Sequence, residues 1–561
     1  MLKQTYTYDA IVIGSGISGG WAAKELCEKG LKTLVLERGN SISHGDYPTA
    51  MMDTWDFPHR GKLTPEEKKQ YHVQSRTGFI REANKHHYVN DLENPYDEEE
   101  SFDWIRGYHT GGRSLMWGRQ CYRWSDLDFE ANLKEGIAVD WPIRYKDLAP
   151  WYDYVERFAG ISGQKMGLDH LPDSQFLPPM EMNCVEKEVK KSIESQFKGR
   201  YMTIGRTAHL TQPHNGRGKC QFRNRCDRGC PYGAYFSSQS TTLPAAQATG
   251  NLTIRHDSIV SAIIYDDQNQ RASGVRVIDA QTEEVIEFKA RIIFCNASTL
   301  GSTFILLNSV SSRFPNGLGN DSDQLGRNLM DHHYNVGAGG DFNGLEDKHY
   351  KGTRPNGIYI PRFRNIDKAS HRDDYIRGFG YQGGARRTGW NRGIRSAAFG
   401  AEFKDALLKP GPWQMYLVGF GECLPYEDNR VKLNKDKQDK WGQPVLSINA
   451  TFRENEVKMR KDMAQSAAEM LEASGLKNVH SWNDLHAVGK CIHEMGTARM
   501  GNDPKTSVLN KFGQMHAVPN VFVTDGACMT SSACQNPSLT YMALTARAAH
   551  YAVNEMKKLT I

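Results

Sequence analysis

The chain opens with an apolar run, a glycine-rich turn and a segment with one apolar face. Residues 8–13 (YDAIVI) have the continuous apolar pattern of a buried parallel strand. GSGISGG follows at once, and WAAKELCEKG then predicts a helix that ends at Gly30. Residues 31–36 (LKTLVL) predict a second strand, which ends at Glu37. The pattern therefore predicts a strand–turn–helix–strand unit at the start of the chain.

The glycines of this turn have the spacing GxGxxG. Gly14 permits the tight turn, Gly16 lets the backbone approach a pyrophosphate at the helix N-terminus, and Gly19 lets helix and strand pack closely. Glu37 stands where a carboxylate would accept hydrogen bonds from ribose hydroxyls. We therefore expect a Rossmann-type dinucleotide site. The motif alone does not separate FAD from NAD, but its place at the N-terminus, with LERG closing the second strand, favours FAD.

Further along the chain the apolar periodicity changes. Residues 252–290 alternate like strands and suit a β-meander, and residues 334–450 are strand-like and rich in glycine and aromatic residues. Helical periodicity returns in VEKEVKKSIESQF and in residues 453–475. The prediction is an α/β protein with a Rossmann-type domain and a second domain built on an antiparallel β-sheet with flanking helices.

Composition narrows the class of protein. The 561 residues are 39% hydrophobic and 24% charged, as in soluble globular enzymes. The net charge of +5, from 70 basic and 65 acidic residues, is too balanced for a nucleic-acid-binding protein. No apolar run is long enough to span a membrane. The N-terminus runs straight into a strand, with no room for a signal peptide. This favours the cytoplasm, unless a partner subunit that carries a signal exports the folded chain.

Three of the 11 cysteines lie within eleven residues. Cys220, Cys226 and Cys230 form the pattern C-x5-C-x3-CP, and thiolates at short spacing ending in Cys-Pro are typical of iron–sulfur ligation. Three ligands without a nearby fourth suit a [3Fe-4S] cluster. A zinc site, which needs a fourth ligand such as His214, or a disulfide with one spare cysteine remain alternatives. The same loop is rich in basic residues: Arg217, Lys219, Arg223, Arg225 and Arg228. They could form an ordinary solvated surface, a docking face for a partner, or positive charge that balances an anionic cluster.

Five further segments resemble the glucose–methanol–choline (GMC) oxidoreductases. In chain order they are TGGRSLMWGRQCYRW (110–124), RIIFCNASTLGSTFILL (291–307), GRNLMDHH (326–333), CIHEMGTARMG (491–501) and the C-terminal residues 520–552. The resemblance extends over nearly the whole chain. It implies a discontinuous FAD-binding domain and a substrate domain with an iron–sulfur loop at 215–236. The implied FAD-binding segments are 1–40, 100–135, 245–335 and 485–561, and the implied substrate-domain segments are 136–244 and 336–484.

The resemblance also implies cofactor contacts. Beyond the first motif these are Gly111, Gly112, Ser114, Val260, Asp525, Gly526 and Asn536. Some relatives attach FAD covalently through a histidine of the GGxSxxW segment. Met116 stands at that place here and cannot form the bond, so we expect non-covalent FAD.

A catalytic pair follows from the same resemblance. His493 matches the family's histidine that takes the hydroxyl proton, a role that suits imidazole because its pKa lies near the working pH. Asn536 matches its partner, which orients the substrate oxygen. His332 and His333 are expected to be structural or to lie at the edge of the site. Gln382 and Trp390, in the segment 381–393, are candidate sugar contacts through hydrogen bonding and stacking, with ordinary loop residues as the alternative.

Within the family, GGxSxxW and QNPSLT resemble pyranose oxidases and bacterial sugar dehydrogenases. Residues 220–246 resemble the [3Fe-4S] loop of glucoside 3-dehydrogenase catalytic subunits. This implies oxidation of a sugar or glycoside C3 hydroxyl, a cytochrome c-type acceptor and a small signal-bearing subunit that exports the enzyme to the periplasm. The alternatives are a pyranose-oxidase-type enzyme that uses O2, a glucose dehydrogenase that oxidises C1, and a non-catalytic flavin electron-transfer subunit.

Overall fold

The computed structural model describes residues 5–561, so the first four residues of the expected FAD-binding domain lie outside it. Its helices are α1 (Ile17–Glu28), α2 (Pro65–Gln70), α3 (His72–Arg76), α4 (Asp126–Phe129), α5 (Ala131–Glu135), α6 (Tyr145–Ala159), α7 (Cys184–Gln196), α8 (Thr242–Gln247), α9 (Thr299–Asn308), α10 (Gly400–Leu408), α11 (Glu454–Ala473) and α12 (Ser538–Lys557). Its strands are β1 (Thr5–Ile13), β2 (Thr33–Leu36), β3 (Asp97–Glu98), β4 (Thr203–Ile204), β5 (Leu252–Arg255), β6 (Ser258–Asp266), β7 (Arg271–Asp279), β8 (Val285–Cys295), β9 (Val336–Phe342), β10 (Ile358–Ile360), β11 (Phe379–Arg387), β12 (Trp413–Gly421), β13 (Arg430–Gln438), β14 (Pro444–Asn449), β15 (Lys477–Asn483) and β16 (Val521–Phe522).

A seven-stranded sheet carries the N-terminal motif. Its strand order is β5-β2-β1-β8-β7-β6, and β16 also pairs with β8. Strands β5, β2, β1, β8 and β16 run parallel, whereas β6, β7 and β8 form an antiparallel meander. Residues 10–13 of β1 and all four residues of β2 are buried, so both faces of these central strands are covered, which explains their continuous apolar runs. The meander expected over residues 252–290 is present in β6, β7 and β8, whereas residues 252–255 form β5, which pairs in parallel with β2.

Helices α1, α8 and α12 cover one face of this sheet. Ala22 and Leu26 of α1 share a buried cluster with Leu243 of α8 and Ala549 of α12. Small residues on α1 and α12 let the two backbones approach each other. Helix α6 joins the same layer, because the Tyr152 hydroxyl bonds a threonine of α12 at 2.8 Å. Helices α6 and α8 therefore pack with the FAD-binding side of the molecule, although the sequence analysis assigned residues 136–244 to the substrate domain.

A second sheet forms the substrate side. Its six strands have the order β15-β9-β12-β11-β10-β4, and all pairs are antiparallel. Along β12, Trp413, Met415 and Leu417 are buried while Gln414 and Tyr416 are exposed. The buried side chains pack with those of α7 and α11 in one apolar cluster. The alternation expected of a half-covered antiparallel sheet is therefore present.

A third, small sheet is formed by β13, β14 and β3. Val431 and Ile448 of this sheet share a buried cluster with Phe102 and Leu329. Residues 430–449 thus pack with the FAD-binding side, although the sequence placed them in the substrate domain. The buried clusters therefore group the helices and strands differently from the domain segments expected from the sequence. Within residues 5–561, no helix has both the length and the apolarity required to cross a membrane.

Replacing Gly19 by alanine tests the close contact of α1 with the first turn. A Cβ at Gly19 would lie 1.9 Å from the Gly14 carbonyl oxygen, so backbone must move. We expect a loss of about 3 kcal/mol or more in stability, measured as a lower thermal midpoint. Gly118→Ala is the control, because a Cβ there meets nothing within 4 Å. Equal midpoints for the two variants would contradict this packing argument.

Candidate active site

One large cavity lies beyond the carboxyl ends of the parallel strands. Its volume is about 710 Å³, within the range of cofactor pockets. Gly14 follows β1, Glu37 follows β2 and Asn296 follows β8, and all three line it. Ligands of open α/β sheets bind at this edge. The cavity continues to His493 and Asn536, so the glycine turn and the expected catalytic pair share one space.

The glycine turn presents an uncapped helix N-terminus to the cavity. No side chain caps α1, whose N-cap residue is Gly16. A Cβ on Gly16 would come no closer than 3.9 Å to protein, so open space lies in front of this residue. Free backbone N–H groups and the helix dipole favour an anion there. The first turn therefore fits a pyrophosphate.

Glu37 lies at the same end of the cavity and is buried. Its carboxylate accepts hydrogen bonds from the Ser15 amide at 3.2 Å, the Gly39 amide at 3.0 Å, and the Ser15 hydroxyl. Burial raises the pKa of Glu37, and these donors offset part of that rise. Ser15 Oγ also accepts a bond from the Gly111 amide at 2.8 Å. Ser15 thus connects the first motif to the GGxSxxW segment, a role that the sequence analysis missed.

The GGxSxxW segment forms the wall beside the glycine turn. Gly112, Ser114 and Met116 line the cavity, whereas Gly111 is held beside it by its bond to Ser15. Gly111 has a φ of 79°, in the left-handed region where glycine is favoured. A methionine on this wall offers no nucleophilic nitrogen to a flavin.

Three more of the expected cofactor contacts, Val260, Asp525 and Gly526, also line the cavity. Burial raises the pKa of Asp525 to about 6, against the lowering effect of the Ser302 hydroxyl at 2.6 Å. The Asn296 Nδ2 is buried without a protein partner in the described chain. Because a buried amide requires an acceptor, this orphaned donor fits a polar cofactor in the cavity.

The expected catalytic pair meets at the closed end of the cavity. The Asn536 Nδ2 lies 3.2 Å from the His493 Nε2, and the Gln382 Nε2 donates to the Asn536 Oδ1 at 2.7 Å. All three residues line the cavity. Trp390 does not line it and is 71% exposed, just beyond β11. The structure therefore brings Gln382 to the site and leaves Trp390 outside, because the strand ends before the tryptophan.

Two charged groups flank His493. Arg113 forms two bonds with the Glu494 carboxylate, at 2.9 and 2.7 Å. Burial, His332 and Arg113 together hold the pKa of His493 well below its usual range. The histidine is therefore neutral at physiological pH, which is the form that can accept a proton.

Asp331 and His332 complete this site, although the sequence analysis ranked His332 as structural or peripheral. The His332 Nδ1 lies 2.9 Å from the His493 Nδ1. The Asp331 carboxylate accepts bonds from the backbone amides of both histidines. Burial and Glu494 raise the pKa of Asp331 to about 7, although the backbone amides act to lower it. The only sequence signal was the DHH of GRNLMDHH. His333 is buried, and neither of its ring nitrogens has a partner in the described residues.

The three clustered cysteines lie on a loop that borders the same cavity. All are free thiols in the structure, and none of the described cysteines forms a disulfide. Burial, with smaller contributions from Cys226 and Cys230, raises the pKa of Cys220 to about 11. Among the described residues, the donor atoms that lie within 4.8 Å of one another in a group of three belong to His332, Cys491 and His493, not to these cysteines. The metal centre expected on Cys220, Cys226 and Cys230 therefore stays a prediction.

His209 is the nitrogen donor beside these thiols. Its Nε2 lies 3.8 Å from the Cys226 Sγ, and its Nδ1 bonds the Thr207 hydroxyl at 2.7 Å. His214, named above as a fourth zinc ligand, instead directs its Nε2 to the Arg157 carbonyl at 2.7 Å. His209 was not among the residues expected at this site, because it lies eleven positions before Cys220 and outside the cysteine motif.

Arginines hold the cysteine loop against the rest of the protein. Arg119 donates to the Cys226 carbonyl at 2.8 Å and to the Leu115 carbonyl at 2.7 Å, and so connects the loop to the GGxSxxW segment. Arg119 and Asp227 also line the cavity. Arg225 and Arg228 bond the chain near residue 53, at 2.5 and 3.0 Å. Much of the basic character of this loop is therefore used within the molecule.

The chain is similar to curated proteins along its length. It is 28% identical over 564 residues to the 2-methyl-1,2-propanediol dehydrogenase of Mycolicibacterium austroafricanum, covering 97% of this chain and 94% of that protein. It is 25% identical over 572 residues to the fructose dehydrogenase large subunit of Gluconobacter japonicus, covering 100% of both.

The fold also has a solved counterpart. The crystal structure of pyridoxine 4-oxidase from Mesorbium loti superposes with a TM-score of 0.59 at 16% identity, covering 97% of this chain and 99% of that chain. Two family models match as well, both described as GMC oxidoreductase: the N-terminal model over residues 8–334 and the C-terminal model over residues 425–545. The chain therefore belongs to the GMC oxidoreductase family.

Proposed function

We propose that this protein is an FAD-dependent dehydrogenase that oxidises a secondary alcohol of a sugar or glycoside, with the C3 hydroxyl as the preferred position. A [3Fe-4S] cluster on Cys220, Cys226 and Cys230 is the proposed relay to a cytochrome c-type acceptor. The observation that carries the proposal is the His493–Asn536 pair, which faces the same cavity as the Gly14–Gly19 turn. A flavin carrier without catalysis would need no base at that place.

The residues at the closed end have complementary roles in alcohol oxidation. When bound, FAD supplies the hydride acceptor for the carbinol carbon. His493 Nε2 takes the hydroxyl proton, so the alcohol loses one proton and one hydride and becomes a ketone. Asn536 holds the substrate oxygen, and Gln382 fixes the orientation of Asn536 through its 2.7 Å bond. These contacts hold the reacting groups in position.

The assignment of a sugar rests on likeness and on the polarity of the site. One relative is named as a fructose dehydrogenase subunit and another as a diol dehydrogenase, and both names describe oxidation of polyhydroxylated compounds. Gln382 and Asn536 provide amide groups at the closed end of the cavity. The preference for C3 comes from the resemblance of residues 220–246 to glucoside 3-dehydrogenases.

The relay is supported by the position of the cysteine loop. When bound, an iron–sulfur cluster carries one electron at a time. Asp227, next to Cys226, lines the cavity, and Arg119 joins the loop to the GGxSxxW wall. This short protein path favours a dehydrogenase over an oxidase that gives both electrons to O2. An oxidase of the pyranose-oxidase type is the second candidate, should the thiols bind no iron.

Partners and location complete the proposal. One relative is named as a large subunit, which supports assembly with other subunits. We propose a small partner that carries the export signal and brings the enzyme to the periplasm.

Replacing Gly16 by alanine separates cofactor binding from folding. Its Cβ meets no protein atom closer than 3.9 Å, but it would enter the space proposed for the pyrophosphate. We expect Gly16→Ala to keep its thermal midpoint without cofactor and to lose bound flavin, measured as the ratio of flavin to protein absorbance. Full flavin occupancy in Gly16→Ala would contradict the pyrophosphate assignment.

Acid precipitation of the wild type should release all of its flavin, since Met116 forms no covalent bond.

Removing the base should abolish alcohol oxidation without loss of flavin. We expect wild type to convert methyl α-glucoside to its 3-keto product, identified by NMR, and His493→Asn to reduce its flavin about 10²–10⁴ times more slowly. His516→Asn, remote from the cavity lining, is the matched control. Normal turnover of His493→Asn would remove the base assignment. A lactone formed from glucose would show C1 oxidation instead.

Removing one cysteine should interrupt electron exit but leave flavin reduction intact. For Cys226→Ser we expect loss of iron and acid-labile sulfide, loss of the EPR signal of the oxidised protein, and slower reduction of a one-electron acceptor. Cys184→Ser is the control, because Cys184 lies outside the loop. If the wild-type protein contains zinc and no iron, the iron–sulfur proposal is wrong and a zinc site takes its place.

A further inference from the structure

The two ring nitrogens of His332 have different partners. The Nε2 contacts the Ala533 carbonyl oxygen, and the Nδ1 lies 2.9 Å from the His493 Nδ1. A carbonyl oxygen only accepts hydrogen bonds, so the His332 Nε2 must carry a proton. Burial lowers the pKa of His332 to about 4, so the neutral ring has one proton only. The His332 Nδ1 is therefore an unprotonated acceptor.

This polarity decides the tautomer of His493. Because the His332 Nδ1 accepts, the His493 Nδ1 must donate, and the neutral ring then has a lone pair on Nε2. Asn536 donates its amide to that Nε2 at 3.2 Å, and Gln382 donates to the Asn536 carbonyl at 2.7 Å. In the series of hydrogen bonds that runs from Gln382 through Asn536, His493 and His332 to Ala533, each bond then has one donor and one acceptor. The Ala533 carbonyl, which cannot change its role, sets the direction of the whole chain of bonds.

The protein holds His332 and His493 in this relation by a shared anchor. The Asp331 Oδ1 accepts the His332 amide at 2.9 Å and the His493 amide at 3.0 Å. The Oδ2 of the same carboxylate accepts the Gly489 amide at 2.9 Å and the Cys491 amide at 3.1 Å. The backbones that carry the two rings are thus bound to one group. The His332 ring is fully buried, so water has no access to replace it as a partner.

We propose that His332 is a positioning residue that holds His493 in the tautomer with its lone pair on Nε2, facing the substrate. The inference rests on the proposed function, in which His493 is the base. In the other tautomer a proton on Nε2 would face the substrate hydroxyl, and no lone pair would be available to take its proton. After proton transfer the His493 Nδ1–H still donates to the neutral His332, which stabilises the imidazolium. An analogous orientation of histidine by a buried acceptor is established in hydrolases.

Cys491 is the competing partner for the same nitrogen. Its Sγ lies 3.4 Å from the His493 Nδ1. Burial raises the pKa of this thiol, so it stays neutral and is a weak acceptor. The three donor atoms of His332, Cys491 and His493 also lie within 4.8 Å of one another, a spacing that a metal ion could use. The experiment must therefore separate His332 from the thiol and from an ion.

Two substitutions at His332 separate its two nitrogens. In His332→Asn the amide oxygen takes approximately the place of Nδ1 and can accept from His493. In His332→Gln the amide takes approximately the place of Nε2 and leaves no acceptor at Nδ1. We expect His332→Gln to lower kcat about 100-fold or more with little change in KM, and His332→Asn to retain at least about a tenth of kcat. His333→Asn is the control for loss of a buried histidine, because His333 has no bond to His493. It should lower the thermal midpoint and leave kcat within about threefold.

Nitrogen-15 NMR of ring-labelled histidine reads the tautomer without reference to activity. The His493 signals are identified by their absence in His493→Asn. We expect a protonated Nδ1 and a bare Nε2 in wild type, in His332→Asn and in Cys491→Ala, and a shift toward a protonated Nε2 in His332→Gln. A protonated Nε2 in wild type, or an unchanged tautomer and kcat in His332→Gln, would overturn the inference. A metal ion that is bound stoichiometrically in the wild type and lost in the His332 variants would also overturn the inference. If the wild type shows the expected His493 tautomer but His493→Asn keeps full activity, His493 is not the base, whereas its orientation by His332 still holds.

Discussion

The carboxylate of Asp331 is the group on which the closed end of the cavity depends. It accepts four backbone amides, two from the histidine-bearing residues 332 and 493 and two from residues 489 and 491. These segments are far apart in the chain and belong to different sequence motifs. A buried carboxylate satisfied in this way cannot move without leaving four donors unpaired, which costs far more than a single hydrogen bond. The geometry of both histidines follows from it.

The cavity is continuous because two structural units share one edge. The parallel strands end at the turn that holds Gly14 and Gly16, and β11 of the second sheet brings Gln382 to the opposite end. Ser15 and Arg119 connect the GGxSxxW segment to the first turn and to the cysteine loop, respectively. The cavity, His493 and the cysteine loop are therefore linked by hydrogen bonds through the GGxSxxW segment or by a shared lining. This proximity is the physical basis for the proposed flow of a proton to His493 and of electrons towards the loop.

Ionisable groups around this space are held away from their ordinary protonation behaviour. Burial lowers the pKa of His493 and His332 and raises that of Asp331 and Asp525. Each of these shifts reduces the charge that the site carries at neutral pH. Burial also places these groups in surroundings of low dielectric constant, where electrostatic interactions such as that of the Arg113–Glu494 pair are stronger than in water. The arrangement suits chemistry that separates a proton from a hydride.

The sequence by itself determined the local features. Apolar runs and glycine spacing predicted β1, α1 and β2, because strand burial and a tight turn depend on neighbouring residues. The motif around His493 and the partner Asn536 were likewise recognisable, since side-chain chemistry and family resemblance are local properties. The three cysteines were visible for the same reason.

Only the tertiary structure decided which distant residues meet. It excluded Trp390 from the cavity, brought His209 beside Cys226, and packed α6, α8 and β13–β14 with the FAD-binding side. It also showed that His332, expected to be structural or at the edge of the site, lies within hydrogen-bond distance of the His493 Nδ1. Burial and long-range hydrogen bonds between residues more than a hundred positions apart leave no periodic trace in the chain. The direction of those bonds, and with it the proposed tautomer of His493, exists only in the folded molecule.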